Sequence, residues 1–273
     1  MDKSVKEFEK HLIEDEKQEA TVTKYLRDVS AFFAFLNGNG LDRQSVLSYK
    51  AYLTEKYVPT GVNSRIAAIN CFLKFIGKRE LCIKPLKIQR RIFASEEREL
   101  TQEEYLRLIK AAPESRISLV VETICSTGIR VSELEYITVD AVAEGKATVN
   151  CKNKTRTVFI SSPLKRKLEK YIKKTGITAG SVFVTKNGKA LNRSNIWRDM
   201  KALCEKAGVS PKKVFPHNLR HLFARLFYSI DKDIVRLADI LGHSNINTTR
   251  IYTMETGKAH LKKIERLQRR LIT

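Results

Sequence analysis

Long hydrophobic runs and paired cysteines are both missing from this sequence. The longest apolar run, Ala31–Leu36, is far too short to cross a bilayer, and a charged segment without an apolar stretch follows Met1. The five cysteines are widely scattered, and no two of them form a Cys-x-x-Cys pair. These absences argue against a membrane span, an export signal, a structural zinc site and a disulfide framework. We therefore expect a cytoplasmic protein with reduced thiols.

Positive charge is what the sequence has in excess. Its 273 residues include 51 Lys and Arg against 30 Asp and Glu, which gives a net charge of +21. So large a surplus must lie mostly on the surface, where it attracts a polyanion. Nucleic acid is the first candidate, because phosphates bind Lys and Arg and release counterions. A protein that is basic for solubility, or for binding anionic membranes, is the alternative that composition leaves open.

The first part of the chain, to about residue 77, is predicted to be helical. Its apolar residues recur at steps of three and four, which places them on one face of each helix and favours a role in the core. Gly38 and Gly77 end two of these helices, and Pro59 follows another. The predicted stripes are Val22, Tyr25, Leu26, Val29, Phe32, Phe33 and Leu36; Val46, Leu47, Tyr49, Leu53 and Tyr57; and Val62, Ile66, Ile69, Phe72, Leu73 and Ile76.

A basic segment separates this part from the rest of the chain. Lys78–Phe93 contains six Lys or Arg and one acidic residue, with Pro85 inside it. We interpret it as an extended linker that can follow a phosphate backbone, and a solvated tether is the alternative. The candidate DNA-binding residues of this linker are Lys84, Lys87, Arg90 and Arg91.

A second domain is predicted to follow the linker. Thr101-Gln102-Glu103-Glu104 is a capping box that begins a helix. Two β-rich runs, Ala147–Val149 and Thr157–Ile160, flank the polar tetrad Lys152–Thr155 and predict a hairpin. The fold class is therefore mainly α with a small β region. We predict a helical domain over 1–77, a linker over 78–96 and a second domain over 97–273. Its helices are predicted over about 102–111, 115–126, 162–174, 193–207, 217–229, 232–241 and 248–255.

The first candidate functional cluster surrounds Arg130. Gly128 allows a turn, and Arg130 then begins a helix with Glu133 three residues later on the same face. The planar Arg130 guanidinium can present two donors to a phosphate while Glu133 holds it in place. Taken alone, an ordinary surface Arg–Glu pair fits this cluster slightly better.

The second cluster stands at the predicted hairpin tip and contains Lys152, Lys154 and Arg156. A lysine on a mobile loop can deliver a proton to a leaving oxygen. Taken alone, an ordinary phosphate contact is the simpler interpretation of these residues.

The third cluster lies in the first turns of the helix that follows Pro216. His217 and Arg220 are three residues apart and share a face. His217 and His221 have the spacing of zinc ligands, but Asn218 stands where the metalloprotease motif requires Glu, and no obvious third ligand follows. We expect no metal site.

The fourth cluster runs from Gly242, which ends a helix, to Tyr252. Asn247 is the predicted N-cap of the next helix, so His243 and Tyr252 belong to adjoining elements. A tyrosine on a short late helix is by default a packed aromatic with its hydroxyl at the edge.

Together the clusters contain two arginines, a lysine, two histidines and a tyrosine, which form a complete set for phosphoryl transfer without a metal. The sequence contains three boxes in this order: Thr-Gly-Ile-Arg, His-x-x-Arg and Leu-Gly-His…Tyr, with a nine-residue step from His243 to Tyr252. In the order of these boxes and in this step, the sequence resembles the tyrosine recombinase (phage integrase) family, particularly its small Xer-like members. The resemblance covers most of the chain and is strongest over Thr127–Thr253. It implies a helical core-binding domain of the SAM-like type and an α+β catalytic domain.

The resemblance also implies a reaction and a set of site residues. Tyr252 would attack the scissile phosphorus and form a 3′-phosphotyrosine link, with no cofactor. The implied catalytic residues are Tyr252, Arg130, Lys152, His217, Arg220 and His243, with Glu133 supporting Arg130. The family's hairpin usually reads Gly-Lys-Gly-x-Lys-x-Arg, whereas Cys151–Arg156 is one residue short and lacks both glycines. The role of general acid is therefore carried to Lys152, with Lys154 as the alternative.

Partners are implied by the same resemblance. Family members act on double-stranded DNA with inverted half-sites, as four protomers that pass through a Holliday junction, and no membrane is involved. The tail Ala259–Thr273 has Leu261, Ile264, Leu267 and Leu271 at helical spacing. This tail either docks on a neighbouring protomer or packs back on its own domain.

Three other functions compete with recombination. A type IB topoisomerase shares the tyrosine chemistry, although the boxes match recombinases better. A DNA-binding regulator without catalytic activity could use the same fold, although the complete residue set argues against it. A metal-dependent nuclease is the weakest alternative.

Overall fold

The computed structural model describes residues 2–88, 99–151, 154–185, 187–253 and 257–272. The chain divides into two compact units, Met1–Arg90 and Arg91–Thr273. Over the residues that the structure describes, the architecture is mainly helical with one two-stranded sheet, as the sequence predicts. Over the described ranges, none of the helices is long and apolar enough to cross a membrane.

The first unit is a bundle of helices. Asp42 caps the third helix in a reciprocal capping box with Ser45, and Pro59 occupies the first turn of the fourth, where its missing N–H costs no hydrogen bond. The helices are α1 (Asp2–Glu14), α2 (Glu19–Leu36), α3 (Arg43–Lys56) and α4 (Pro59–Phe75), followed by a short 3₁₀ helix, Arg79–Leu81.

An aromatic cluster lies at the centre of this bundle. The Phe72 ring meets Phe8 edge-on at 5.2 Å between centroids and Phe33 edge-on at 5.3 Å, an arrangement that aromatic quadrupoles favour. The predicted apolar stripes of α2 and α4 face this core. The α3 stripe is confirmed in part: Val46, Tyr49 and Leu53 are buried, but Leu47 and Tyr57 are exposed. Leu47 follows Val46 by one residue, which turns it about 100° away from the buried face.

Residues 82–88 pack against the first unit instead of leaving it. Leu81 and Ile83 are buried. The Asn70 side chain donates to the carbonyl of Ile83 and accepts from its N–H, and Asn63 makes the same pair of bonds with Leu86. The segment that the sequence analysis interprets as a linker thus begins as an ordered strap along α4.

The strap presents two of the predicted DNA-binding residues. Lys84 and Lys87 are exposed. The carbonyl of Lys84 accepts a hydrogen bond from the Lys50 side chain at 2.7 Å, so the backbone here is held in place. Arg90 and Arg91 lie outside the described residues.

The second unit is an α+β assembly. The predicted capping box at Thr101–Glu104 is present at the start of its first helix. Its elements are α5 (Gln102–Ala111), α6 (Arg116–Thr127), a 3₁₀ helix (Val131–Tyr136), α7 (Val139–Glu144), β1 (Lys146–Cys151), β2 (Lys154–Phe159), α8 (Ser162–Thr175), α9 (Arg193–Ala207), α10 (Pro216–Ile230), α11 (Ile234–Leu241), α12 (Ile246–Arg250), a 3₁₀ helix (Ile251–Thr253) and α13 (Gly257–Ile272).

The strands form an antiparallel hairpin. Lys146 pairs with Phe159 at one end and Cys151 with Lys154 at the other. The strands are longer than the sequence analysis predicts, because Lys154 and Thr155 belong to β2 and not to the tip. The two connecting residues, Lys152 and Asn153, lie outside the described residues.

The core of the second unit is built around α6 and α10, which carry the two arginine boxes. Val120, Val121 and Ile124 of α6 are buried with Leu219 and Leu222 of α10. Packing these helices together brings the end of α6 next to the start of α10. The site described below stands there.

The final helix, α13, exposes its apolar stripe. Leu261, Ile264, Leu267 and Leu271 have between 47% and 76% of their surface exposed in the single chain. These four side chains therefore remain available for burial against another surface.

Candidate active site

The turn after α6 places Arg130. Gly128 ends the helix in the left-handed conformation with φ of 65°, which glycine adopts without strain. No larger residue fits there, because a Cβ on Gly128 would lie 2.5 Å from the ring of Phe223. Arg130 then caps a 3₁₀ helix, where the sequence analysis predicts the start of an α-helix.

Glu133 organises the base of the site. It is 2% exposed, and one carboxylate oxygen accepts from the Arg130 side chain at 2.8 Å while the other accepts from the Arg130 backbone N–H at 2.8 Å. Burial opposes its ionisation, but hydrogen bonds from Arg156 and Arg130 outweigh that cost and lower the pKa of Glu133 to about 2. The structure therefore joins Arg130 and Glu133 as the sequence predicts.

Arg156 is the second partner of Glu133. From the sequence, Arg156 is a possible DNA contact, but its side chain is 12% exposed and donates to both Glu133 oxygens, at 2.9 and 2.6 Å. This planar two-bond pairing is the geometry that guanidinium and carboxylate favour. Arg156 comes from β2, so the hairpin and the Arg130 turn are tied through one carboxylate.

Arg220 is buried at the centre of the site, with 2% of its surface exposed. It donates to the carbonyl of Gly128 and to that of Leu241, each at 2.5 Å. Burial and then the neighbouring Arg130 charge lower the pKa of Arg220 to about 10, which leaves it a cation at neutral pH. One guanidinium thus joins α10, the α6 turn and the end of α11.

His243 bridges Arg220 and α12. Its Nε2 lies 3.0 Å from Nη2 of Arg220, and its Nδ1 lies 2.8 Å from the Thr249 hydroxyl. Because a guanidinium only donates, Nε2 accepts from Arg220 and Nδ1 carries the proton. Burial, then the charges of Arg220 and Arg130, lower the pKa of His243 to about 4, so the ring is neutral at pH 7.

Tyr252 enters the same cleft from its own chain. Gly242 ends α11, as predicted, and Asn245 caps α12 by accepting from the Asn247 N–H. The prediction that Asn247 is the cap is therefore wrong by two residues. Tyr252 follows in a 3₁₀ turn, 3% exposed, and its hydroxyl is close enough to interact electrostatically with Arg220.

Two histidine rings hold the tyrosine ring. His243 stacks on Tyr252 at 5.7 Å between centroids, and His221 meets it edge-on at 4.4 Å. Burial, then the charge of His217, lowers the pKa of His221 to about 3, so this ring is also neutral. No role for His221 is evident from the sequence, because the contact of His221 with Tyr252 depends on packing between α10 and the 3₁₀ turn.

The predicted residues meet around one open cleft of about 550 Å³. His217 is exposed on its wall, although nearby atoms crowd the ring. Desolvation, then the charges of Arg220 and Arg130, lowers the pKa of His217. Arg193 and Trp197, which the sequence analysis does not single out, also line the cleft. The predicted residues on its lining are Arg130, His217, Arg220, His243 and Tyr252.

The two hairpin lysines are not part of this geometry. Lys152 lies outside the described residues, and the side chain of Lys154 does too. In the described ranges, no group of three His, Cys, Asp or Glu side chains is placed to hold a metal ion. What the cleft offers chemically is two arginine cations and neutral imidazoles around a tyrosine hydroxyl, a combination suited to an anionic, phosphate-like group.

Comparison with known sequences agrees with this chemistry. Residues 98–258 match the phage integrase family. Tyrosine recombinase XerA of Pyrococcus furiosus is 31% identical over 271 residues, covering 95% of this chain and 91% of the relative. Tyrosine recombinase XerC of Roseiflexus castenholzii is 29% identical over 281 residues, covering 93% and 89%.

Solved structures give the same result. The crystal structure of XerA recombinase is 27% identical and has a TM-score of 0.55, with 98% of both chains covered. A lambda integrase dimer bound to a core site shares the fold with a TM-score of 0.74 at 18% identity, over 94% of this chain and 96% of that one. The chain belongs to the phage integrase family and is a site-specific tyrosine recombinase of the Xer type.

Proposed function

We propose that this enzyme cleaves and rejoins DNA strands with Tyr252 as the nucleophile. The Tyr252 hydroxyl oxygen bonds to the scissile phosphorus as the bond to the 5′ oxygen of the next nucleotide breaks. The tyrosine loses its proton and the leaving 5′ oxygen gains one. The product is a 3′-phosphotyrosine, which a 5′ hydroxyl from another strand attacks to restore the backbone. The exchange conserves the energy of the phosphodiester bond, so it needs no ATP. Arg130 and Arg220 stabilise the phosphate charge that a metal would otherwise stabilise.

The observation that carries this proposal is the convergence of Arg130, Arg220 and Tyr252 on one cleft. Negative charge grows on the non-bridging phosphate oxygens in the transition state, and preorganised donors there contribute strongly to the rate. Arg220 is fixed by two carbonyls, and Arg130 is fixed by Glu133. Both arginines are therefore held in position before DNA binds.

The remaining roles follow from position and protonation. In this structure His243 accepts a bond from Arg220, so it donates to a phosphate oxygen only after a proton reaches Nε2. His217, on the cleft wall, assists in removing the tyrosine proton together with the cations. Lys152 protonates the leaving 5′ oxygen, with Lys154 as the alternative.

We further propose how the enzyme engages DNA. Lys84 and Lys87 on the strap, together with Lys154, Arg90 and Arg91, contact phosphates beside inverted half-sites. Four protomers exchange strands through a Holliday junction, in the cytoplasm. One structure of similar fold is described as a lambda integrase tetramer bound to a Holliday junction. The exposed α13 stripe would dock on a neighbouring protomer.

The experiment is a suicide-substrate assay with a nicked DNA duplex that traps the covalent intermediate. We expect the wild-type chain to form a protein–DNA adduct in the presence of EDTA. The Tyr252→Phe variant should bind DNA with unchanged affinity but form no adduct, because it lacks the attacking oxygen. Tyr228→Phe, which changes a tyrosine outside the cleft, serves as the matched control.

Three results would contradict the proposal. An adduct in Tyr252→Phe would assign the nucleophile to another residue. Cleavage that disappears in EDTA would favour a metal-dependent nuclease. Relaxation of plasmids without any site requirement would favour the topoisomerase alternative.

A further inference from the structure

A guanidinium that the proposed reaction does not use lies directly behind the phosphate-binding arginine. Arg156 donates to both Glu133 oxygens, while Glu133 also accepts from the Arg130 side chain and backbone. The carboxylate therefore receives four hydrogen bonds, two from each arginine, at distances from 2.6 to 2.9 Å. Both groups are largely withdrawn from solvent, with Arg156 12% and Glu133 2% exposed.

The same arginine also packs on the turn that carries His243. A Cβ on Gly242 would lie 2.9 Å from Cδ of Arg156 and 3.1 Å from Nη1, so the arginine side chain occupies the space beside this glycine. On the other side, the carbonyl of Gly242 accepts from Nη2 of Arg130 at 3.2 Å. Arg156 thus borders the two segments that deliver Arg130 and His243 to the cleft.

Charge balance gives this arrangement a consequence for catalysis. A lone Glu133–Arg130 pair would have no net charge, so Arg130 would stabilise less of the additional negative charge that the phosphate gains in the transition state, while ground-state binding, spread over many phosphates, would change little. With Arg156 bound to the same carboxylate, the three groups carry a net charge of +1, and Arg130, the most exposed of them at 33%, faces the cleft. Close charges in a partly buried site act strongly on one another.

We propose that Arg156 is a positioning residue for strand cleavage, acting through Glu133 and Gly242 and not through contact with DNA. This inference rests on the proposed function. Arg156 holds Glu133 in the orientation that fixes Arg130, and it offsets the Glu133 charge so that Arg130 remains an effective cation. The alternative is that Arg156, which also borders a cleft beside Gly242 and Thr155, turns outward to bind a phosphate.

The test compares Arg156→Met and Arg156→Lys in single-turnover cleavage and in DNA binding across a range of salt concentrations. For Arg156→Met we expect cleavage to slow by about 10- to 100-fold, the range found when a residue that orients a metal ligand is removed. DNA affinity should stay within about twofold, and the salt dependence should not change. A phosphate contact would instead lower affinity and reduce the salt slope by about one. Arg166→Met, an exposed arginine on α8, is the matched control.

The Arg156→Lys variant distinguishes a positioning role from phosphate binding in a second way. Lysine can serve as a point charge for a phosphate, but it cannot make the two parallel bonds to Glu133. We expect this variant to bind DNA normally and to cleave slowly. It also decides the question if Arg156→Met does not fold, because it keeps the charge and most of the side-chain volume. Wild-type cleavage by Arg156→Lys would overturn the proposal.

A double variant provides a readout that a merely structural role would not move. With Arg156 absent, an ionised Glu133 neutralises Arg130, whereas glutamine does not. Arg156→Met combined with Glu133→Gln should therefore cleave no more slowly than Arg156→Met alone. If the losses in cleavage rate caused by the two single substitutions multiply in the double variant, the two residues act independently and the proposal is overturned. If Tyr252→Phe is inactive while Arg156→Met cleaves at the wild-type rate, only this inference fails and the proposed reaction stands.

Discussion

The two compact units use buried side chains in different ways. Met1–Arg90 is closed mainly by apolar contacts, with aromatic rings from α1, α2 and α4 meeting around Phe72, and its buried carboxylate, Asp28, pairs with Lys24 of the same helix. The second unit has an apolar core of its own, but it also buries Glu133 and Arg220 where its elements meet. Apolar attraction has no preferred direction, whereas charges removed from water must be matched by partners in defined positions. The second unit therefore gains geometric definition from groups that are costly to bury.

The largest expected effect on stability tests the aromatic cluster of the first unit. Phe72→Ala removes a fully buried ring from the first unit and should lower its free energy of unfolding by about 4 kcal/mol, within the usual range for such truncations. Hydrogen exchange of the full chain should accelerate in α1–α4 and remain unchanged in α6 and α10. Equal acceleration in both units would show that they do not unfold separately.

The next effect concerns the charge network and appears as a dependence on pH. The pKa of Glu133 falls from 4.5 to about 2 on folding, so its stabilisation is complete above pH 4.5 and is lost as the pH falls toward 2. The full difference corresponds to about 3 kcal/mol. In urea unfolding at pH 6, the wild type should have a larger free energy of unfolding than Glu133→Gln. At pH 3 the difference between the two free energies should be smaller by about 2 kcal/mol. A gap that does not change with pH would contradict a lowered Glu133 pKa.

The smallest of the three effects tests the turn that positions Arg130. Gly128→Ala places a Cβ against Phe223 in addition to the strain of its positive φ, and it should cost about 2 kcal/mol and slow cleavage. Gly208→Ala is the matched control, because Gly208 also has a positive φ, of 60°, but has open space around it. Thermal melting of the two variants gives the difference. Equal losses would mean that contact with Phe223 is unimportant.

Most helices could be predicted from the sequence because their signals are local. The capping box at Thr101–Glu104 and the helix-ending Gly242 involve neighbours a few residues apart, and both predictions are confirmed. Local signals were less decisive at the N-cap of α12. The sequence predicts Asn247 there, but the backbone places Asn245, two residues earlier and of the same residue type, at the cap. Leu47 fits an apolar stripe by count but lies at its edge, and it is exposed.

The sequence by itself determined the site's chemical content, since the arginine, histidine and tyrosine boxes can be read along the chain and their side chains line one cleft. Only the tertiary structure decided how those groups are held. Arg156, the second partner of Glu133, lies 23 residues away from it on a strand, and the contact between His221 and Tyr252 joins two separate elements. Backbone preferences act over a few residues, whereas these contacts depend on how distant elements pack. No local pattern distinguishes an arginine that binds DNA from one that binds a buried carboxylate.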